Sequence, residues 1–171
     1  MNSNSKFSLR LFFLTVGFSG YSPKGPGTAG SFVSLILGVA FLLFLSEKSL
    51  FLATILISLI AVKIINIYEN ETKTHDQKHI VIDELAGMWF ALSLAPGHLI
   101  AIEDLTLTSG VTVQIILSFI YFRIFDIWKP SVIGLIDEKV KGGWGVMGDD
   151  IVAGFIAGIL SSLSWKIITL I

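Results

Sequence analysis

The chain contains no cysteine, which removes disulfides, thiolate metal sites and any cysteine nucleophile. It is also poor in charge: Asp, Glu, Lys and Arg make up 15% of its 171 residues, against roughly 25% in soluble domains. The net charge of −1 leaves no basic excess to replace counterions around phosphates, so a nucleic-acid partner is excluded. There is no internal repeat, and no proline-, serine- or charge-rich tract divides the chain, so a single domain over residues 1–171 is expected. What is abundant is apolar. Hydrophobic residues make up 53% of the chain, and the mean hydropathy is +0.80. This is the composition of an integral membrane protein.

Five apolar segments predict an all-α, polytopic membrane helical bundle of four to five apolar helices. "SFVSLILGVAFLLFL" (31–45) and "LFLATILISLIAVKIINIY" (50–68) are separated only by "SEKS", which predicts an antiparallel helical pair. "IVIDELAGMWFALSLA" (80–95), "VTVQIILSFIYFRIFDIW" (111–128) and "DIVAGFIAGILSSLSWKIITLI" (150–171) follow. A membrane span needs about 20 residues, so the first and third segments predict tilted or partly interfacial helices. Lys129-Pro130 should stop the fourth. The N-terminal "MNSNSKFSLRLFFLTVGFSG" lacks a clear cleavage site and reads as a retained interfacial or short helix.

Counting basic residues by side gives an orientation. Lys6, Arg10, Lys24, Lys63, Lys73, Lys78, Arg123, Lys129, Lys139 and Lys141 fall on one side, and only Lys48 and Lys166 on the other. The first side should be cytoplasmic, with every motif loop gathered there.

Four motifs carry the chemistry. "GYSPKGPGTAGS" (20–31) precedes an apolar helix. Its glycines free the backbone to expose N–H groups, Thr28 and Ser31 are available as caps, and Lys24 adds a mobile cation. It reads either as a phosphate-cradling loop or as a glycine-rich turn capping a helix, and it lacks the Gly-Lys-Ser/Thr run of a Walker A loop. "HDQKHIVIDELAG" (75–87) places Asp83 and Glu84 inside an apolar run, where ionised groups are expensive unless paired, hydrated or bound to a cation. A first-turn acid favoured by the helix dipole explains one carboxylate better than two. His75 and His79, four apart, precede the run and read as a polar surface pair rather than zinc ligands. In "FRIFDIWKP" (122–130), Arg123 and Asp126 share a helical face, with Lys129 a turn further on. They form either a structural ion pair or a site in which Asp126 serves a metal and Arg123 or Lys129 a phosphoryl oxygen. "GGWGVMGDD" (142–150) is expected to open the last helix with Asp149 and Asp150, although one Asp would suffice as a cap. Asp83, Glu84, Asp126, Asp149 and Asp150 thus lie at the ends of three helices. Oxygen-only ligands beside phosphate-binding cations suit Mg²⁺.

"SPKGPGTAGS", "HDQKHIVIDELAGMW", "FRIFDIWKP" and "GGWGVMGDDIVAG", in this order and spacing, resemble the phosphatidylglycerophosphatase A family from about residue 17 to 158. The resemblance implies a helical bacterial inner-membrane protein with its active site facing the cytoplasm. It implies removal of the terminal phosphate of phosphatidylglycerophosphate with Mg²⁺, giving phosphatidylglycerol. The family's acidic positions fall on Asp83, Glu84, Asp126, Asp149 and Asp150, expected as catalytic and metal-binding residues. Its basic positions fall on Lys24, Arg123 and Lys129, expected with Gly27, Thr28 and Ser31 to bind phosphate. The expected mechanism is metal-assisted attack by water, with an aspartyl-phosphate route as the alternative.

Other phosphatase plans fit less well. Histidine-dependent lipid phosphatases use "PSGH" and a later histidine, whereas "APGH" (95–98) lies on the opposite side and no histidine follows His98. The "DG..AR" opening of CDP-alcohol phosphotransferases is absent. From a different class, a membrane carrier or ion channel would also carry intramembrane acids. Such a path needs polar residues near mid-bilayer, whereas these acids gather at one end.

Overall fold

The computed structural model describes residues 3–74, 77–95, 102–106 and 109–170. Among these there are seven α-helices and no strand: α1 (Ser3–Leu14), α2 (Pro26–Leu42), α3 (Glu47–Thr72), α4 (Ile82–Leu94), α5 (Gly110–Trp128), α6 (Val132–Lys139) and α7 (Gly143–Ile168). Single 3₁₀ turns lie at Ser19–Tyr21 and Ile102–Asp104. His75 and the "PGH" of residues 96–98 lie outside the described residues.

Local chemistry places the helix ends. Ser46 and Ser109 cap α3 and α5, each hydroxyl accepting the N–H three residues on, from Ser49 and Thr112. Lys73 and Lys129 close the same helices in the left-handed region, and Pro130 follows Lys129 as expected. The helix α1 has 12 residues, about 18 Å at 1.5 Å per residue, and is the short helix expected from the N-terminal segment. It is tied to the bundle by Arg10–Glu71 at 2.6 Å and by the bond from Val81 N–H to Leu14 O at 2.9 Å.

Three helices, α3, α5 and α7, are long and apolar enough to cross a membrane, and the chain is a helical membrane bundle. The helix α4 has only 13 residues, and nearly all of them are buried. It is therefore not interfacial as expected: it is the central helix, packed against α7, α2, α3 and α5. Because protein surrounds it, it needs no membrane-matched length of its own. The expected α2–α3 pair is also looser than the short turn implied, since each packs mainly on α4.

Close approach to α4 depends on small residues. A Cβ on Gly87 would strike the Phe122 ring and the Asp150 carbonyl, and one on Gly154 would strike the Gly87 carbonyl. These crossings bring the helices near enough for van der Waals packing, which dominates helix association where lipid removes the hydrophobic drive. On the α2 side, Trp89 Nε1 donates to Ser34 O at 2.9 Å over Gly38.

The consequence for the site is positional. The N-termini of α2, α4 and α7 and the C-terminus of α5 meet at one end of the bundle. Arg123 and Lys129 lie at this end, and Lys48 and Lys166 lie at the ends of α3 and α7 remote from it.

Candidate active site

The last helix begins at Gly143, not at Asp150. Asp149 and Asp150 therefore do not open α7, as expected, but lie about two turns in, and the N-cap residue Gly142 offers no side-chain cap. The reason is Asn66 on α3, whose Oδ1 accepts the Gly143 N–H at 2.8 Å, while the missing Cβ of Gly143 lets α7 abut the Val62 backbone. Apolar patterning missed this turn because "GGWGVMG" is held by α3 rather than by hydropathy. Asp83 and Glu84 correspondingly sit in the first turn of α4, nearer its start than the apolar run suggested.

Arg123 organises one half of the cluster. Its Nη1 donates to Glu84 Oε2 at 2.7 Å, to Asp126 Oδ2 at 2.6 Å and to Ser31 Oγ at 2.9 Å, and its Nη2 donates to Thr28 Oγ1 at 3.3 Å. Ser31 Oγ lies 2.5 Å from Glu84 Oε2. Gly27 makes this possible, because a Cβ there would collide with the Glu84 carboxylate. Thr28 and Ser31 do not cap α2, as expected; Gly25 in the left-handed region and Pro26 start that helix without a side-chain cap, and both hydroxyls turn to Arg123 instead. Lys24 is exposed and has no ion-pair partner among the described residues.

Lys129 organises the other half. Its Nζ donates to Asp149 Oδ2 at 2.7 Å and to Asp137 Oδ1 at 2.6 Å. Burial opposes its charge, but the hydrogen bonds it donates to Asp137 and Asp149, with their negative charge, outweigh this and raise its pKa above the ordinary lysine value. Asp137, on α6, was not expected. It follows the Pro130 break, and only the turn through Ser131 into α6 returns it to Lys129. The one sequence signal is an acid eight residues beyond a lysine, too common to single out.

Between the halves lies a cleft of about 230 Å³ lined by Asp83, Asp126, Lys129, Asp137, Val140, Gly145, Val146, Asp149 and Asp150. Carboxylate oxygens of Glu84, Asp126 and Asp150 all lie within 4.8 Å of one another. Diametrically opposed oxygens around a hard divalent cation stand roughly 4–5 Å apart, so the three match such an ion. Asp150 Oδ2 and Asp149 Oδ1 are buried without a hydrogen-bond partner, which is costly for an acceptor unless a cation or substrate completes it. Among the described residues, Arg123 and Lys129 are the cations set among six clustered carboxylates. The donor set is oxygen only and fits a hard metal ion.

Fold and cluster together define a class: a helical membrane protein with a buried acid–base centre at one end, whose carboxylates could hold a metal ion. Residues 12–165 match the family model for Phosphatidylglycerophosphatase A, and the chain belongs to that family. It is a phosphatase. Phosphatidylglycerophosphatase A of Escherichia coli (strain K12) is 38% identical over 92% of this chain and 86% of its own length. The protein of the same name from Haemophilus influenzae is 34% identical over 88% and 85%. A putative phosphatidylinositol-3-phosphatase of Bacteroides thetaiotaomicron is 32% identical over 87% and 89%. No solved structure matches.

Proposed function

We propose that the protein hydrolyses the terminal phosphomonoester of phosphatidylglycerophosphate in a Mg²⁺-dependent reaction. The products are phosphatidylglycerol and inorganic phosphate, and the site faces the cytoplasm in the bacterial inner membrane. The observation that carries this reading is the bare pair of buried oxygens, Asp150 Oδ2 and Asp149 Oδ1, set beside two fixed cations at one end of an apolar bundle. Two relatives are named for this substrate. The third is named for a different lipid headgroup, and the chemistry shared by the names is a phosphomonoester on a glycerophospholipid.

Glu84, Asp126 and Asp150 would hold the ion, with Asp83 and Asp149 lining the same cleft. Bound there, Mg²⁺ supplies charge neutralisation of the phosphoryl oxygens and lowers the pKa of a bound water. Arg123 and Lys129 present fixed donors to the charge on the phosphoryl group. Thr28 and Ser31 hold the guanidinium in place, and Gly27 leaves room for the Glu84 carboxylate beside it. Asp149, anchored through Oδ2 by Lys129, keeps Oδ1 free to accept the proton of an attacking water. The water oxygen bonds to phosphorus, the P–O ester bond breaks, and the glycerol oxygen leaves with a proton taken from solvent while Asp149 returns its own to solvent. Uncatalysed phosphomonoester hydrolysis is so slow that enzymes accelerate it by up to about 10²¹-fold, which asks for a dense, preorganised site.

A carrier or channel is less well supported. The polar groups Gln114, Ser118 and Ser161 inside the bundle donate to backbone carbonyls, so these hydroxyl and amide donors are already satisfied by the helices. The test is phosphate release from phosphatidylglycerophosphate by purified protein in vesicles, with and without Mg²⁺. Activity is expected only with the metal. Hydrolysis unaffected by chelation would overturn the metal assignment, and ion flux without hydrolysis would overturn the reaction. Rapid acid quench separates the chemical routes, since an acid-stable, hydroxylamine-labile phosphoenzyme would replace water by an aspartate as nucleophile.

A further inference from the structure

Between α2 and α5, two facing stripes of residues lead from the acid–base cluster toward an apolar cavity that the reaction itself does not use. On α2, Thr28, Phe32, Ile36, Val39 and Leu43 recur at helical spacing and share one face. On α5, Thr112, Ile115, Phe119 and Arg123 do the same. The helices run antiparallel, so the two stripes face each other in a graded order. At the site end, Arg123 Nη2 donates to Thr28 Oγ1 at 3.3 Å. Next, the Phe32 and Phe119 rings stand edge to face with centroids 6.4 Å apart. Beyond them the helices part around a cavity of about 370 Å³, where Leu35, Val39 and Leu43 face Thr112 and Ile115 and Leu105 stands at the far end.

The groove is therefore amphiphilic along its length, with a cation and hydroxyl at one end and hydrocarbon beyond. From Thr28 to Val39 the rise along α2 is about 16 Å at 1.5 Å per residue. That is about half of a hydrocarbon core roughly 30 Å thick, the depth of one leaflet. We propose that this groove holds one acyl chain of the glycerophospholipid whose phosphorylated headgroup sits at the acid cluster, and that Leu43 and Leu105 bound the chain length accepted. The inference rests on the lipid-phosphatase reading above and adds to it the route by which the substrate's hydrocarbon is held. A second apolar cavity, of about 430 Å³, lies between α1, α2, α3 and α4 and is lined by Phe13, Val33, Leu37 and Ile57 among others. It reaches α4 at Ile82 and Leu85, on either side of Asp83 and Glu84, but its lining holds no cation and no hydroxyl, and it is the rival that the labelling below separates.

Two measurements test this on the full-length protein in vesicles. In the first, phosphatidylglycerol carrying a photoreactive diazirine near the end of one acyl chain is irradiated with wild-type protein, and labelled residues are mapped by mass spectrometry. Label concentrated at Val39, Ala40 and Ile115 is expected. Label in the Phe13–Leu37–Ile57 cavity, or spread evenly over the lipid-facing side of α3, overturns the proposal. This arm needs no turnover, so it decides the groove even if the assigned reaction fails. In the second, Ala40→Phe fills the groove from an exposed position outside the cluster. It should raise KM for long-chain phosphatidylglycerophosphate about tenfold or more, the scale at which a hydrophobic pocket responds to small changes in fit. The dihexanoyl substrate should be hydrolysed as by wild type. An equal loss on both substrates, or no loss on either, refutes the groove. Failure of the wild type to release phosphate from either substrate would instead refute the reaction.

Discussion

Replacing Arg123 by Met removes the one group that neutralises Glu84 and Asp126 together while retaining most of the apolar stem. The side chains of Arg123 and Glu84 are 13% and 9% exposed, so the carboxylates left behind gain little water. Breaking a buried pair in this way costs about 3–5 kcal/mol, far above the roughly 0–1 kcal/mol of an exposed pair. At roughly 2–4 °C per kcal/mol for a chain of this size, the midpoint should fall by about 6–20 °C. Combining Arg123→Met with Glu84→Gln replaces the stranded carboxylate by an amide that Ser31 can still bond. Part of the loss should then return, with a coupling energy of about 1–3 kcal/mol. The assay is thermal unfolding in detergent followed by far-UV circular dichroism, for wild type, both single variants and the double variant, in chelator and in Mg²⁺. Added Mg²⁺ should narrow the deficit of Arg123→Met, since a second cation then serves the same oxygens. A single-variant loss below about 1 kcal/mol, or a double variant that loses the sum of the two, refutes the reasoning that Arg123 is the structural counter-ion of this cluster.

Three further outcomes follow from the geometry. Asp150→Asn removes a buried carboxylate whose Oδ2 has no partner; hydrolysis should fall at least about 10²-fold while the unfolding midpoint stays level or rises, and a parallel loss of fold and activity would assign Asp150 a structural role. Gly154→Val forces a side chain against the Gly87 carbonyl and should cost about 1–3 kcal/mol, lowering activity by parting Asp83 and Glu84 on α4 from Asp150 on α7; unchanged thermal unfolding would contradict the close crossing. Lys129 has its pKa raised by Asp137 and Asp149 against the effect of burial. A raised pKa means its stabilising contribution is complete below the unfolded lysine value of about 10.4 and is lost only as pH rises through the higher folded value. Lys129 should therefore contribute a flat stability profile from neutrality to about pH 10, and a stability loss between pH 7 and 9 that disappears in Lys129→Met would overturn its assigned ion pairs.

The legibility of the site differed residue by residue. Asp83, Glu84, Asp126, Asp149, Asp150, Arg123 and Lys129 could be singled out because charge inside or beside an apolar run is costly in a membrane and needs a reason. Their partners could not. Arg123 meets Glu84 across 39 residues and Ser31 across 92, and nothing local encodes either distance. Asp137 was missed because its position depends on the turn after Pro130. Lys24, attractive as a mobile cation beside glycines, stands exposed outside the cluster.

By itself, the sequence determined that the chain is a bundle of apolar helices, that its acids and bases gather at one membrane face, and which family's motifs it carries. These follow from composition, periodicity and order along the chain, which are properties of single segments. The tertiary structure decided that the shortest apolar helix is the centre of the bundle, because burial on all sides is a property of neighbours rather than of length. It also decided where the last helix starts, because Asn66, a distant residue, holds its first turn. Above all it decided which carboxylates are neutralised and which are left bare. That division depends on oxygen and nitrogen atoms meeting within about 3 Å, a distance set only when glycines let the helices close.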